Sequence, residues 1–217
     1  MPYTPDHDVV DDPAVLAAFI RRNPLATLVT HDGVRPDTDL IPLLQVEGER
    51  GPELVGHVAR SNPLWRPESH RGQVLAVFGP AEHYVSPSWY PSKAEHHRVV
   101  PTWNYLVVHA WGKLVVHDDT RWVRGVVARL TTAMEAGREQ PWRMGQAPAD
   151  YTEQMLQQIV GVSIQVESLL GRFKVSAHRA EADRLGARDG VTAEAGGRGY
   201  EDVVRAMTDP PQGTFTD

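Results

Sequence analysis

The stretch WNYLVVHAWGKLVVH, residues 103–117, decides the fold class of this chain. Its β-branched and aromatic residues favour a strand, but it is too long to be regular throughout, so a bulge or bend is predicted at Gly112. Similar but shorter stretches precede it, separated by turns that contain Gly or Pro. We predict these strands over residues 25–30, 39–46, 53–60, 73–78 and 83–86. Six strands with no helix between them favour antiparallel packing, as a barrel or a sandwich.

Turn residues define the first hairpin. Asp32-Gly33 follows the first strand and predicts a tight turn. Pro42 lies within the return strand. Because proline has no N–H to donate to a sheet, this strand is predicted to lie at an edge or to carry a bulge.

Two helices that flank the strands begin with recognisable caps. Asp12 is a suitable N-cap before Pro13, and this helix is predicted to end at Asn23-Pro24, since the residue before a proline avoids the α region. The second helix is predicted to begin at Asp118-Asp119. Its apolar stripe contains Trp122, Val123, Val126, Val127, Leu130 and Met134.

The last part of the chain is predicted to contain a third helix and two strand segments. The helix is expected over residues 149–160, with Gly161 as the glycine that follows its C-terminus. Residues 162–166 and 171–176 are expected to form strands that pair with each other. 

Residues 186–217 differ in composition from what precedes them, with several Gly and Pro residues and few apolar ones. We predict a flexible C-terminal tail there, with one short helix over residues 201–207. The domain that carries the function is accordingly assigned to residues 1–185.

Composition excludes several classes of site. The chain has 217 residues, 41% of them hydrophobic and 23% charged, which is typical of a soluble globular protein. It contains no cysteine, and this excludes disulfides, thiolate metal sites and thiol nucleophiles. Residues 1–12 do not have the pattern of a signal peptide, and no apolar run approaches the roughly 18 residues of a membrane span, so a cytoplasmic location is expected.

The charge distribution does not favour direct nucleic-acid binding. The formal net charge is −6, whereas proteins that hold DNA by its phosphates usually present a basic face. The basic residues are scattered: Arg21-Arg22 stand apart from Arg121, Arg124 and Arg129, which have acidic neighbours. 

Three segments carry polar and aromatic residues that plain strands do not need. In GHVARSNP, residues 56–63, a strand delivers Arg60, Ser61 and Asn62 into a turn, which suits either a phosphate cradle or an ordinary Asn-Pro turn. YVSPSWYPSK, residues 84–93, is a rigid loop whose aromatics suit either stacking on a planar ring or packing in a core or interface. VPTWNY, residues 100–105, suits either hydrogen bonding to a heterocycle or strand initiation.

Other chemistries lack the residue patterns they require. The ten histidines are dispersed, and His96-His97 would point to opposite faces of a strand, so no metal site is predicted. No Gly pattern of a dinucleotide site, no nucleophile elbow around Ser61 or Ser92, and no Walker lysine motif is present.

Four segments together resemble the signature blocks of the PaiB family of FMN-binding, negative transcriptional regulators. They are GHVARSNPLW (56–65), VLAVFGP (74–80), YVSPSWYPSK (84–93) and VPTWNYLVVHAWG (100–112). Tyr3-Thr4-Pro5, residues 25–30, Ile41-Pro42-Leu43, Pro141-Trp142 and Gly161 fit the family as well. The similarity covers residues 1–185. One position departs from it, because relatives usually have a histidine where this chain has Leu40.

The resemblance implies an α+β, mainly β fold: an antiparallel, six-stranded split β-barrel with flanking helices, which forms a homodimer with FMN between the subunits. Arg60, Ser61 and Asn62 are implied to hold the FMN phosphate, and Thr102, Trp103 and Asn104 to lie near the ring or the partner subunit. The full set of predicted cofactor-binding residues is His57, Val58, Ala59, Arg60, Ser61, Asn62, Trp89, Lys93, Thr102, Trp103 and Asn104.

The resemblance leaves three functions open. The first is a transcriptional regulator that senses or uses flavin without reading DNA directly. The second is an FMN-dependent oxidoreductase that acts on a small molecule with NADH or NADPH, with Trp89, Trp103 and Tyr105 as walls of the substrate pocket. The third is a haem-binding or haem-degrading barrel, in which His57 or His109 would ligate iron.

Overall fold

The structure, a computed structural model, describes residues 4–70 and 72–211. The described residues form a mostly antiparallel, open sheet of eight strands with six α-helices. The strands are β1 (Val9–Val10), β2 (Leu25–His31), β3 (Pro36–Pro42), β4 (Leu44–Gly48), β5 (Gly51–Ala59), β6 (Gln73–Val85), β7 (Thr102–His117) and β8 (Ile159–Lys174). The helices are α1 (Pro13–Arg22), α2 (Lys93–His96), α3 (Thr120–Glu135), α4 (Ala149–Leu156), α5 (Glu181–Glu194) and α6 (Tyr200–Thr208). 

The strand order is β3-β2-β6-β7-β8-β5-β4, and β1 pairs with β8 outside this path. Six strands lie between Leu25 and His117, which confirms the split-barrel prediction, although two boundaries differ from those predicted. In the described part of the chain, no helix has both the length and the apolar composition needed to span a membrane. 

The first boundary that differs is the return strand of the first hairpin. The hairpin itself is confirmed, since β2 pairs with β3 and Gly33 has a φ of 102°. However, the predicted strand over residues 39–46 is divided between β3, at the edge of the sheet order, and β4. Leu43 lies between the two strands, and its N–H donates to the Pro24 carbonyl at 2.8 Å.

The second boundary that differs is in β6, which joins the strands predicted over residues 73–78 and 83–86. The Gly79-Pro80 step, which suggested a turn, lies inside this strand. A Cβ on Gly79 would lie 2.8 Å from the Leu106 carbonyl oxygen of β7. Glycine is needed at position 79 because the backbones of β6 and β7 approach each other closely there, not because the chain turns.

Both expectations for the segment after α4 are wrong. Helix α4 ends at Leu156, and Gly161 lies in β8, where a Cβ would come within 2.3 Å of the Trp122 ring. Residues 171–174 continue the same strand, so they do not pair with residues 162–166; β8 pairs instead with β5 and β1. Gly161 suggested a helix end, but glycine is required here because the Trp122 ring occupies the space of a Cβ.

Gly112 does not mark a bulge. The burial pattern of β7 alternates without interruption past this residue. A Cβ on Gly112 would lie only 2.1 Å from the Gln165 carbonyl oxygen of β8. The strand therefore stays regular, and glycine is required because the two backbones approach each other closely.

The chain divides into two compact units. Unit 1 contains residues 4–19, 78–109 and 169–211, and the Phe19 and Phe173 rings meet in its core with centroids 5.4 Å apart. Unit 2 contains residues 20–70, 72–77 and 110–168. In unit 2, Trp122 packs against a buried cluster of Val55, Val126 and Leu130.

The predicted helix caps are confirmed. Asp12 Oδ1 accepts hydrogen bonds from Ala14 N at 2.7 Å and Val15 N at 3.3 Å, at the beginning of α1. Asp119 Oδ1 accepts one from Trp122 N at 2.7 Å, at the beginning of α3. Both helices thus begin where the sequence predicted.

The C-terminal residues contain more structure than predicted. The short helix expected over residues 201–207 is present as α6, but residues 186–194 also lie in a helix, α5, and Val191, Val203 and Met207 are fully buried. The expectation of a largely unstructured segment is therefore wrong for these two helices. Their larger apolar residues are placed at the positions that pack, which average composition does not reveal. The boundary at residue 185 stays a prediction, and Tyr3 and residues 212–217 lie outside the described residues.

Candidate functional site

One surface of unit 1 combines aromatic rings with basic side chains. Its aromatic members are Tyr84 on β6 and Trp103 and Tyr105 on β7, and its basic members are Arg172 and Lys174 on β8. The Tyr84 and Trp103 rings meet edge to face, with centroids 5.9 Å apart. The Arg172 guanidinium and the Lys174 ammonium lie 5.3 Å and 5.9 Å from the centroid of the Tyr105 ring. We call these five side chains the aromatic–basic face.

Strand alternation explains why these side chains share a surface. Asn104 and Leu106 of β7 are buried, so the neighbouring odd-numbered residues of that strand point to the opposite side of the sheet. Gly171 and Phe173 of β8 are buried in the same way, and the even-numbered residues beside them join the aromatic rings. Trp103 is 53% exposed, so that its flat indole surface is available to a ligand or a partner.

A hydroxyl from one of the predicted site residues adjoins the basic end of this face. Thr102 begins β7, immediately before Trp103. The Lys174 ammonium donates a hydrogen bond to Thr102 Oγ1 at 2.6 Å. An ammonium group has three donors, and a hydroxyl can both donate and accept. 

A buried carboxylate balances part of the positive charge. Asp8 is 2% exposed, with its Oδ2 3.8 Å from Arg172 Nε and its Oδ1 3.7 Å from His7 Nε2. The rings of His7 and His178 lie 4.8 Å apart. Burial raises the pKa of Asp8, although His7, Arg172, His178 and Lys174 all act to lower it. Burial, with His7 and other positive neighbours, lowers the pKa of His178.

The predicted phosphate residue Arg60 is held by its own chain, in unit 2. Its guanidinium donates to Asp118 at 2.6 Å and 3.0 Å and to the carbonyl oxygens of Gln157 at 2.8 Å and Ile159 at 3.2 Å. The hydrogen bond from Arg60 lowers the pKa of Asp118. These contacts connect the end of β5 to the end of β7 and the beginning of β8. Arg60 therefore contributes to holding the fold together.

The rest of the segment is an ordered turn. Asn62 Oδ1 accepts from Leu64 N at 2.8 Å and caps a short 3₁₀ turn, while its Nδ2 donates to Asp39 at 2.6 Å. Ser61 lies in the preceding turn, and Val58 and Ala59 lie in β5. The phosphate role of this segment stays a prediction, because these local contacts are those of an Asn-Pro turn.

His57 lines a groove of about 330 Å³ in unit 2, together with Leu130, Met134 and Trp142. Its Nδ1 is buried and has no hydrogen-bond partner among the described residues, and burial lowers the pKa of this imidazole. Leu40, where relatives usually have histidine, is an exposed residue of β3.

The remaining predicted residues lie in unit 1, where Asn104 serves packing and Lys93 makes a surface hydrogen bond. Asn104 is fully buried; its amide donates to Met207 Sδ at 3.3 Å and accepts from Ser176 Oγ at 3.1 Å. Lys93 donates to Ser88 Oγ at 3.1 Å. Of the predicted residues, Thr102 and Trp103 alone belong to or adjoin the aromatic–basic face.

Helix α5 fixes the aromatic loop that carries Trp89. Asp183 accepts hydrogen bonds from Ser92 N at 3.0 Å and Ser92 Oγ at 2.7 Å. Gly190 lies directly against the Trp89 ring, where a Cβ would come within 2.1 Å of Cδ2. Trp89 and Tyr90 of this loop therefore follow the packing interpretation and helix α5 holds the loop in place, whereas Tyr84 is exposed.

We expect Gly190→Ala to lower the free energy of unfolding by about 1–3 kcal/mol, as overpacking does, because the new methyl group would overlap the Trp89 ring. Chemical denaturation measures the change. Gly125→Ala is the matched control, since Gly125 lies in helix α3 with open space around it. There the substitution should raise stability by up to about 1 kcal/mol through helix propensity. A gain in both variants would contradict the tight contact.

Sequence reasoning missed both basic members of the aromatic–basic face and the two histidines near Asp8. Arg172, Lys174, His7 and His178 were not predicted. The signal for two of them is visible in GRFK, residues 171–174, where basic residues alternate with buried ones at the period of a strand. His7 and His178 are far apart in sequence, and only the fold brings their rings together.

Comparison with known proteins supports the cofactor. Residues 2–168 match the family model described as "Putative FMN-binding domain". An uncharacterised protein of Aspergillus fumigatus is 31% identical over 81% of this chain and 85% of its own length. The protease synthase and sporulation protein PAI 2 of Bacillus subtilis is 29% identical over 84% of this chain and 86% of its own length.

Solved structures share the fold at low sequence identity. The FAD and haem binding protein of Mycobacterium smegmatis aligns with a TM-score of 0.56 and 16% identity, over 77% of this chain and 73% of that chain. The flavocytochrome Anf3 of Azotobacter vinelandii aligns with a TM-score of 0.55 and 11% identity, over 76% of this chain and 69% of that chain. At these identities the likeness establishes the split-barrel fold alone. The family match over most of the chain goes further: the chain belongs to the PaiB family of FMN-binding split-barrel proteins, and FMN is its cofactor.

Proposed function

We propose that this protein is a cytoplasmic, homodimeric regulator that responds to FMN and does not read DNA itself. The observation that carries the proposal is the exposure of Trp103, 53%, inside the VPTWNY segment and beside basic side chains. A large aromatic residue at such a position is suited to contact a planar ligand or a partner subunit. 

The donor set of the aromatic–basic face fits FMN. A flavin has a planar aromatic ring. The exposed Trp103 indole, with the Tyr84 ring at its edge, offers a flat aromatic surface on which such a ring can stack. FMN also carries a phosphate, for which ammonium, guanidinium and hydroxyl groups are suitable donors. When bound, the flavin supplies reversible redox chemistry, and the protein's residues bind and orient it.

Exposed apolar residues near the face support a dimer. Val100 is 65% exposed and lies three residues before Trp103. Tyr84, which contacts the Trp103 ring, is also exposed. Covering these side chains with a second copy of the chain would bury apolar area and enclose the cofactor between subunits.

The helices of unit 2 argue against direct DNA reading. Helices α3 and α4 are separated by residues 136–148, whereas a helix-turn-helix has a turn of about three or four residues. Arg124 of α3 is paired with Glu153 of α4, so its charge is not available to a phosphate. The name of PAI 2 refers to protease synthesis and sporulation, and for this chain we propose a regulatory role that acts through a partner.

Sedimentation of the purified protein with and without FMN tests the proposal. We expect a dimer that binds one FMN per chain, with a measurable change in sedimentation or in protease sensitivity on binding. The same preparation should leave a mixed DNA library unretarded at physiological salt. A monomer under both conditions, or retarded DNA, would contradict the proposal. Steady oxidation of NADH or NADPH with turnover of the bound flavin would instead assign the oxidoreductase function.

A further inference from the structure

A cavity in unit 1 lies beside the loop that carries Trp89 and the short helix α2 that follows it. Its volume is about 520 Å³, which is within the range of about 300–1,000 Å³ that is typical of sites for small organic ligands. The side chains that give it chemical character are Ser88, Trp89, Tyr90, Lys93 and His97. None of the described residues that line it belongs to the aromatic–basic face, so it is a separate candidate site.

Lys93 and Ser88 supply hydrogen-bond donors to one wall of this cavity. The Lys93 ammonium donates to Ser88 Oγ at 3.1 Å. An ammonium group has three N–H donors and cannot accept, so the Ser88 oxygen is the acceptor and its own O–H is left to donate elsewhere. Within the described part of the chain, neither group has a second hydrogen-bond partner. Two N–H groups and one O–H group are therefore available to a ligand.

The charge of the Lys93 ammonium is not balanced inside the cavity. Of the residues that the structure describes there, none is acidic. Glu95 of the same helix is exposed and does not line the cavity, and Asp183 is engaged with Ser92 N and Oγ. His97 adds an imidazole, which has an N–H donor in either charge state. This set of donors is complementary to an anion, because charge-assisted hydrogen bonds are the strong ones.

The fold holds this cavity in place before any ligand binds. Helix α5 lies directly against the loop, since a Cβ on Gly186 would come within 2.4 Å of the Trp89 carbonyl oxygen. Tyr90 is buried, and the Arg179 guanidinium lies 4.3 Å from the centroid of its ring. His97 ends α2 with a φ of 57°, and its N–H donates to the Lys93 carbonyl at 3.1 Å. A ligand therefore meets an ordered wall, which lowers the entropy cost of binding.

We infer that this cavity binds a small organic anion, a carboxylate or a phosphate ester joined to a flat ring, as a second ligand separate from FMN. The charged group would accept hydrogen bonds from Lys93 and Ser88, and the ring would lie against the part of the Trp89 indole that lines the cavity. Trp89 and Lys93 are thereby assigned to this ligand instead of the cofactor. In a regulator, such a ligand would act as an effector.

The experiment compares phenyl phosphate, benzoate and the neutral benzyl alcohol as probes in ligand-detected NMR titrations, with and without saturating FMN. We expect at least one anion to bind wild type about tenfold or more tightly than the alcohol. Loss of a charge-assisted hydrogen bond in Lys93→Ala should weaken that anion by about tenfold to a hundredfold and change the alcohol by less than about twofold. Lys113→Ala, which removes an exposed lysine of unit 2, is the matched control and should change neither.

Anions that bind no more tightly than the alcohol, or that bind Lys93→Ala as they bind wild type, would overturn the anion site. Displacement of the anion by FMN would overturn its separation from the cofactor. Neither result touches the proposed function, which is tested by FMN binding and sedimentation. Lys93→Arg, which keeps the charge, should retain anion binding, and its loss there as well as in Lys93→Ala would point to a folding effect and count against the site. Tighter binding of phenyl phosphate assigns a phosphate ester, and tighter binding of benzoate a carboxylate.

Discussion

Gly112→Ala is expected to lower the free energy of unfolding by about 3 kcal/mol or more, at the upper end of overpacking effects. A Cβ at this position would lie 2.1 Å from the Gln165 carbonyl oxygen and 2.9 Å from Ile164 Cγ2. The obstacle is backbone in the middle of β8, so it cannot move aside as a flexible side chain would. Strands β7 and β8 are neighbours in the sheet, and a displacement here would disturb both.

Urea or guanidinium denaturation followed by circular dichroism measures this loss. Lys113→Ala, one residue further along β7 and well exposed, should change stability by less than about 0.5 kcal/mol. A Gly112→Ala protein as stable as the Lys113→Ala protein would show that β7 and β8 are further apart here than the structure has them.

Trp122→Ala is expected to destabilise the protein by about 3 kcal/mol, the low end of the range for a large aromatic residue in a core. The Trp122 ring stacks on His117 with centroids 3.8 Å apart, at an interplanar angle of 7°. It also packs against the cluster of Val55, Val126 and Leu130, and it fills the space that Gly161 leaves open. Removing the indole would leave a cavity that β8 and α3 cannot close without moving.

Thermal and chemical denaturation of Trp122→Ala and Trp142→Ala measure this effect. Trp142 is the control because it is 45% exposed, and its truncation should lower stability by less than about 1 kcal/mol. Equal losses in the two variants would contradict the packing role of Trp122. Stability is the quantity to measure for Trp122→Ala, because Trp122 lies in unit 2 and outside the aromatic–basic face.

Local signals in the sequence predicted local structure well. The Asp12 and Asp119 caps begin α1 and α3 as expected, because a carboxylate that accepts main-chain N–H groups acts within three residues of itself. The Asp32-Gly33 turn joins β2 to β3, with Asp32 Oδ1 accepting from Val34 N and Arg35 N. These features depend on neighbouring residues alone.

Glycines were the least predictable residues, because the same residue type serves turns and close contacts. Gly161 looked like a helix end and Gly112 like a bulge, but Gly161 admits the Trp122 ring of α3 and Gly112 admits the Gln165 carbonyl of β8. Gly190 has the same role under Trp89. The partner in each case is distant in sequence, so only the folded structure identifies it.

The site was predictable where the family blocks carried it. Trp103 and Thr102 were predicted and lie at the aromatic–basic face. Arg60 has the residue type that a phosphate site requires, yet its partner Asp118 follows β7, far along the chain, and no sequence pattern signalled the pairing. Arg172 and Lys174 lie in a segment whose strand was predicted too short and with the wrong partner.

Titration of FMN against wild type and Trp103→Ala tests most directly whether the flavin lies on the aromatic–basic face. Stacking of a planar base on an aromatic side chain contributes about 1–3 kcal/mol by alanine substitution, so Trp103→Ala should weaken FMN binding by roughly fivefold to a hundredfold. Trp142→Ala, which truncates a similarly exposed indole in unit 2, should bind FMN as wild type does. Unchanged affinity in Trp103→Ala, with a loss in Trp142→Ala, would contradict the account and move the flavin to the groove beside His57.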